Sequence, residues 1–209
     1  MYKVVIIKAH PILNMDTEEY NYSMYPAIFL DRDGVLIENR ADYVRNWSDV
    51  VIFHDVENAL SNTILNKYKI IIVTNQSAVG RGIISLETAQ GINTRLVNIF
   101  RSRNSRIDGV YLCPHAPYEN CKCRKPKPGL ILQAAVELSL DLKRSWMIGD
   151  AWSDVLAGQA AGVRGTIIVK TGRGTEQLSM HPPKSLGDYL VCNDLQQALQ
   201  IILSKDNDN

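Results

Sequence analysis

The sequence predicts an α/β protein built on a parallel, doubly wound sheet. Two observations carry this reading. Short, uninterrupted apolar runs recur along the chain, and each stops at a polar or glycine-containing turn. Patterns with helical spacing separate most of these runs. An apolar run without polar alternation suits a strand covered on both faces, and strands alternating with helices form parallel sheets through right-handed crossovers.

Taken in order, the first run is Ala27-Ile28-Phe29-Leu30. Downstream of it, Val56, Ala59, Leu60, Thr63 and Ile64 share one helical face. The second run, Ile70-Ile71-Ile72-Val73, precedes a helical pattern over residues 85–103. After the third, Val110-Tyr111-Leu112, a further face is formed by Ile131, Ala134, Ala135 and Leu138 at i, i+3, i+4 and i+7. Trp146-Met147-Ile148 leads to a helix over 153–162, and Thr166-Ile167-Ile168-Val169 is the fifth run. The domain is expected over residues 26–203. Residues 1–25 read as a polar, tyrosine-rich extension, with a strand expected only at Tyr2–Ile7. The Gly-, Pro- and Ser-rich stretch 172–185 reads as a surface loop, and residues 204–209 as a frayed tail. Cys192, in an apolar setting, reads as a buried small hydrophobe.

Composition narrows the function classes. The 209 residues can bury a full core, and 23 basic against 22 acidic side chains give no sign of a broad nucleic-acid surface. The apolar run Val4–Ile7 is too short for a signal-peptide core or a membrane span, so a cytoplasmic protein without a membrane partner is expected. In that compartment thiols stay reduced. The cluster Cys113-Pro-His-Ala-Pro-Tyr-Glu-Asn-Cys-Lys-Cys123 therefore points to metal binding more than to a disulfide.

Ligands of open α/β sheets bind beyond the carboxyl ends of the strands. The first run ends in Asp31-Arg32-Asp33-Gly34, the second in Thr74-Asn75-Gln76-Ser77 and the fourth in Gly149-Asp150, with Asp154 four residues on. The third enters the cysteine cluster and then Arg124-Lys125. Each element alone has a plainer reading. Asp-x-Asp-Gly and Thr-Asn are common turns, Asp150 or Ser153 can cap a helix, and a Pro-rich basic stretch can be a solvated loop. Together they describe a site. Asp31 and Asp33, two residues apart, repel each other unless a cation or a shared proton relieves them, and Asp150 adds a third carboxylate. Hard oxygen ligands suit Mg²⁺, while the Thr74 hydroxyl and the Lys125 ammonium can hold an anion. Carboxylates, a magnesium site and a cationic clamp are the parts of phosphoryl transfer.

The segments FLDRDGV, IIVTNQSAVGRG, CPHAPYENCKCRKPKPG and MIGDAWSD, in this order, resemble the haloacid dehalogenase superfamily. More narrowly they are similar to its heptose 1,7-bisphosphate 7-phosphatases and the related histidinol-phosphate phosphatases. The resemblance implies a Rossmann-like sheet with minimal or no cap, a zinc-binding loop, and a monomer acting on a small sugar phosphate. It implies Asp31 as the nucleophile that forms an aspartyl-phosphate, and Asp33 as general acid and then base. Magnesium would be held by the Asp31 carboxylate, the Asp33 backbone carbonyl and Asp150, with Asp154 as an outer-shell partner. Thr74 and Lys125 would bind the transferring phosphoryl group, and Asn75, Gln76, Ser77 and Arg124 the substrate. Cys113, His115, Cys121 and Cys123 would form a closed Cys₃His zinc site.

Three features depart from the better-known heptose enzymes. Only five residues separate His115 from Cys121, which is closer to the histidinol branch. Ala151 stands where those enzymes tend to carry a lysine, and Val35 where a threonine is frequent. A sugar-bisphosphate phosphatase is the favoured expectation, with a histidinol-phosphate or broad phosphomonoesterase as the alternative. A non-catalytic zinc-stabilised scaffold would gain nothing from crowded carboxylates.

Overall fold

The structure is a computed structural model that describes residues 24–207 apart from Asn62, so the expected strand at Tyr2–Ile7 lies outside the described residues. Its elements run β1 (Ala27–Leu30), α1 (Val56–Leu60), β2 (Lys69–Asn75), α2 (Ser77–Gly80), α3 (Leu86–Ser102), β3 (Gly109–Cys113), α4 (Gly129–Glu137), β4 (Trp146–Gly149), α5 (Trp152–Ala161), β5 (Gly165–Val169), α6 (Gly174–Ser179), β6 (Leu190–Cys192) and α7 (Leu195–Asn207). All five strand pairings are parallel, in the order β3-β2-β1-β4-β5-β6. The chain therefore winds outward in one direction from β1 and in the other from β4. The carboxyl ends of β1 and β4 meet at this switch point, where a crevice opens.

Strand alternation builds two cores. Ile28, Leu30, Ile70, Ile72, Ile148, Ile167 and Val169 point to one side, under α1, α3 and α7. Ala27, Phe29, Ile71, Val73, Tyr111 and Met147 point to the other, against α4 and α5. Helix α3 starts at Ser85, whose side chain accepts from the Thr88 amide, and buries Ala89, Ile92, Leu96, Val97 and Phe100 along one face. Each large apolar side chain buried there stabilises the fold by about 1.5–3 kcal/mol. Ser145 ties the layers together: its hydroxyl accepts from the Ala27 amide at 2.8 Å and donates to the Asp141 carbonyl at 2.5 Å.

Four local expectations need correction. The helical face from Val56 to Ile64 is broken, because α1 stops at Leu60 and a 3₁₀ segment spans Thr63–Lys67. At the break the Ser61 hydroxyl donates to the Asn58 carbonyl, the local competition that makes Ser and Asn poor helix interiors. Within the expected loop 172–185, Gly174–Ser179 is helical, and Leu178 packs against the Trp152 cluster. A sixth strand, Leu190–Cys192, adds an edge, with Cys192 buried as expected. The expected frayed tail is helical to Asn207, because Asp206 engages Tyr68, Lys67 and Arg164.

Candidate active site

A cleft of about 530 Å³ opens over the carboxyl ends of β1 and β2. Asp31, Asp33, Asn75, Gln76, Ser77, Arg124 and Lys125 line it, so most of the site residues expected from sequence converge there. Thr74, Asp150 and Asp154 lie buried at its base and do not line the opening.

Asp31 follows β1 directly and extends its ladder, its amide donating to the Ile148 carbonyl at 3.0 Å. Its Oδ1 accepts from the Arg32 amide (2.7 Å) and meets Lys125 Nζ at 2.9 Å. Among the described residues no group donates a hydrogen bond to Oδ2. Burial pushes the Asp31 carboxyl up to about 7. Lys125 opposes that shift, while Asp154, Asp150 and Asp33 add to it.

Lys125 is itself almost fully buried, and its ammonium lies between two carboxylates and a backbone carbonyl. Nζ meets Asp31, Asp154 Oδ1 at 2.5 Å and the Val73 carbonyl at 2.8 Å. Burial alone would lower this ammonium, but Asp154 and Asp31 outweigh it and hold it above the usual lysine range. The Asn75 side chain fixes the lysine backbone: Nδ2 donates to the Lys125 carbonyl and Oδ1 accepts its amide, both at 3.1 Å. At the start of α5 Asp154 accepts the Ala151 amide on Oδ2, while its Oδ1 faces the Lys125 ammonium as an ion pair.

Asp33 faces elsewhere. Its carboxylate is gripped by Arg32 through Nε and Nη2 at 3.0–3.2 Å and accepts from Gln76 Nε2 at 2.8 Å. One carboxylate oxygen each from Asp31, Asp150 and Asp154 lies within 4.8 Å of the others, a group without the Asp33 side chain. Three buried carboxylates this close could hold a divalent cation beside the Lys125 ammonium and the Arg173 guanidinium that already pair with them. Asp154 is held by Lys125 and the Ala151 amide, and Asp150 by Asn39 and Arg173, so among the described residues Asp31 Oδ2 is the carboxylate oxygen of this group that faces the site without a protein partner.

Several contributors were missed by sequence reasoning. Asn39 donates to Asp150 Oδ2 at 2.6 Å, and Arg173 meets the same carboxylate through its amide (2.9 Å) and guanidinium (3.2 Å). Gly34, at φ +90°, packs so closely over Asp150 that an added Cβ would sit 2.1 Å from Oδ2. Arg32 stands between two aspartates in a sequence that looks like a solvated turn, and Asn93 lies within helix α3. A polar residue on the buried face of α3, among Ile92, Leu96 and Val97, was the available signal for Asn93.

The cysteine cluster lies beside the cleft. Cys113 ends β3, and the Sγ atoms of Cys113, Cys121 and Cys123 are 3.2–3.6 Å apart. His115 Nδ1 is 3.3 Å from Cys123 and 3.6 Å from Cys113. No pair is bonded as a disulfide. Zn–S bonds of ~2.3 Å in a tetrahedron place the ligand atoms roughly 3.8 Å apart, so the donors fit zinc after a small expansion. A hydrogen bond from Cys113 is the largest factor pulling the Cys123 thiol down, to about 5, against the opposing effect of burial. The Gln76 and Gly80 amides donate to the Cys113 and Pro114 carbonyls, and Arg124 Nη1 to the His115 carbonyl, so cluster and cleft share one scaffold.

Comparison with known proteins agrees with this architecture. A HAD-hydrolase-like family model matches residues 122–198. The chain is 37% identical to the D-glycero-beta-D-manno-heptose-1,7-bisphosphate 7-phosphatase of Helicobacter pylori (strain J99), over 84% of this chain and 96% of that protein. It is 39% identical to the enzyme of the same name from Vibrio cholerae serotype O1, over 73% and 86%. The crystal structure of D,D-heptose 1,7-bisphosphate phosphatase from B. bronchiseptica, complexed with magnesium and phosphate, superposes with a TM-score of 0.79 at 27% identity. That match covers 86% of this chain and 99% of the other.

Proposed function

This chain belongs to the heptose 1,7-bisphosphate 7-phosphatase family of haloacid dehalogenase-like hydrolases, and on that premise we propose that it removes the C7 phosphate of D-glycero-β-D-manno-heptose 1,7-bisphosphate. The observation that carries the chemistry is Asp31, buried at the switch point with Oδ1 pinned by Lys125 and the Arg32 amide. An Asp31 oxygen attacks phosphorus, and the bond from phosphorus to the C7 oxygen breaks. The departing oxygen takes its electron pair and a proton from Asp33. Water then attacks the aspartyl-phosphate and gives a proton to Asp33, and cleavage of the phosphorus–Asp31 bond releases inorganic phosphate.

Lys125 and Thr74 receive the phosphoryl oxygens, and Arg124, Ser77 and Gln76 line the way for the substrate. Asp31 and Asp150, with the Asp33 backbone carbonyl, would hold a magnesium ion, which when bound neutralises phosphoryl charge and the carboxylates' mutual repulsion. Cys113, His115, Cys121 and Cys123 would hold a structural zinc that fixes the segment delivering Arg124 and Lys125. The reading extends to a cytoplasmic monomer whose domain, residues 26–203, follows an extension of residues 1–25. Among the described residues no helix is long and apolar enough to cross a membrane.

The short His115–Cys121 spacing favours histidinol phosphate as the competing substrate. Steady-state kcat/KM for both anomers of heptose 1,7-bisphosphate and for histidinol phosphate decides between them. The β anomer is expected to be used best, and a clear preference for histidinol phosphate would replace the heptose reading.

A further inference from the structure

Arg32 is 1% exposed, yet it sits between two aspartates at the mouth of a polar cleft. A buried guanidinium must find partners for its donors. Here Nε and Nη2 grip Asp33, Nη2 also donates to Gln76 Oε1 at 3.0 Å, and Nη1 donates to Asn93 Oδ1 at 2.8 Å. Asn93, itself buried on α3, anchors the far end of the fork.

Consequences follow from donor and acceptor inventory alone. Guanidinium has no acceptor, so the Gln76 amide must turn its oxygen to Arg32 and its nitrogen away. That nitrogen then donates to Asp33 Oδ2 and to Thr74 Oγ1, both at 2.8 Å. Because Thr74 Oγ1 accepts from Gln76, the hydroxyl's own proton is left to point elsewhere. A phosphoryl oxygen is the acceptor that would meet it.

We infer that Arg32 is a positioning residue that sets the hydrogen-bond direction of the site. Its fork orients the Asp33 carboxyl, and through Gln76 it aims the Thr74 hydroxyl at the substrate anion. The inference rests on the phosphatase reading of Asp31 and Asp33.

Two variants test it, Arg32→Lys and Gln76→Glu. Lysine keeps the charge and loses the fork. Glutamate keeps the volume and the Arg32 contact but cannot donate to Asp33 or Thr74, so it reports even where Arg32→Lys does not fold. The measurement is kcat/KM on two substrates. One is the alkyl phosphomonoester the wild type uses best, heptose 1,7-bisphosphate or histidinol phosphate. The other is p-nitrophenyl phosphate, whose leaving group departs without a proton. Because kcat/KM covers only the steps through departure of the alcohol, the later hydrolysis, in which Asp33 acts as base, does not enter it. Mispositioned Asp33 therefore lowers it for the ester that needs an acid, and general acid catalysis contributes about 10²–10⁴-fold. Both variants are expected to lose about tenfold or more on the alkyl ester beyond their loss on the aryl ester, with unchanged zinc content. Equal losses on the two esters, or none, would overturn the role of Arg32. Absence of hydrolysis of any of these esters by the wild type would instead sink the phosphatase reading.

Discussion

Replacing Lys125 by methionine tests how the buried charges at the base of the cleft are balanced. Lys125 is 3% exposed, and its ammonium pairs with Asp31 and Asp154 at 2.9 and 2.5 Å and donates to the Val73 carbonyl at 2.8 Å. Methionine fills similar volume but leaves two buried carboxylates without their cation, a change that costs about 3–5 kcal/mol. For a chain of this size each kcal/mol lowers Tm by about 2–4 °C, so a drop of roughly 6–20 °C is expected in magnesium-free protein. The pH dependence has a defined sign. Burial already holds the folded Asp31 carboxyl near 7, and Lys125 is the group restraining that rise. Losing it raises the folded value further above the unfolded value of about 3.9. Stability associated with such a group is fully present below the unfolded pKa and is lost as pH rises through the folded one. The deficit of Lys125→Met relative to wild type should therefore grow from pH 5 to pH 8 in thermal melts. An unchanged Tm, or a deficit largest at pH 5, would refute this account of the buried charges.

Three further outcomes are expected. Burial alone would raise Asp206, but its bonds with Tyr68 and Lys67 and the charge of Arg164 hold it below the usual carboxylate range. Asp206→Asn should cost about 1 kcal/mol at pH 7, with the gap to wild type closing below about pH 4, as melts across that range would reveal. Ser145→Ala orphans the Ala27 amide of β1 and should cost about 1–3 kcal/mol in urea unfolding, with the m-value unchanged. Elemental analysis of protein purified without added metal should find one zinc per chain. Its removal by a chelator should lower both Tm and turnover, and zinc should restore them.

How much could be read from sequence depended on whether the signal was local. Strands β1, β2, β4 and β5 announce themselves because burial on both faces leaves uninterrupted runs such as Ile70-Ile71-Ile72-Val73. Strand β6 does not: it is three residues long, and Val191 at its centre is 43% exposed at the sheet edge. The helical tail leaves no local signal because it is held by Lys67, Tyr68 and Arg164, which no local pattern ties to Asp206. The convergence of Asp31, Thr74, Lys125 and Asp150 at and beneath the cleft was legible because the carboxyl ends of neighbouring strands must converge. Arg173 and Asn39 were not, since each reaches Asp150 from more than twenty residues away along the chain through loop geometry. For Arg32, the neighbouring residues look like those of a solvated turn, and only the distant Asn93 and Gln76 explain its burial.

In the proposed reaction Asp31 carries the phosphoryl group between substrate and water. Rapid quenching of wild-type and Asp31→Asn protein, mixed with ³²P-labelled substrate and magnesium, addresses it most directly, followed by acid precipitation and peptide mapping. Wild-type protein is expected to retain label on the peptide containing Asp31, while Asp31→Asn retains none, lacks turnover, and keeps its fold and zinc. Full turnover by Asp31→Asn, or label on a different side chain, would contradict the account.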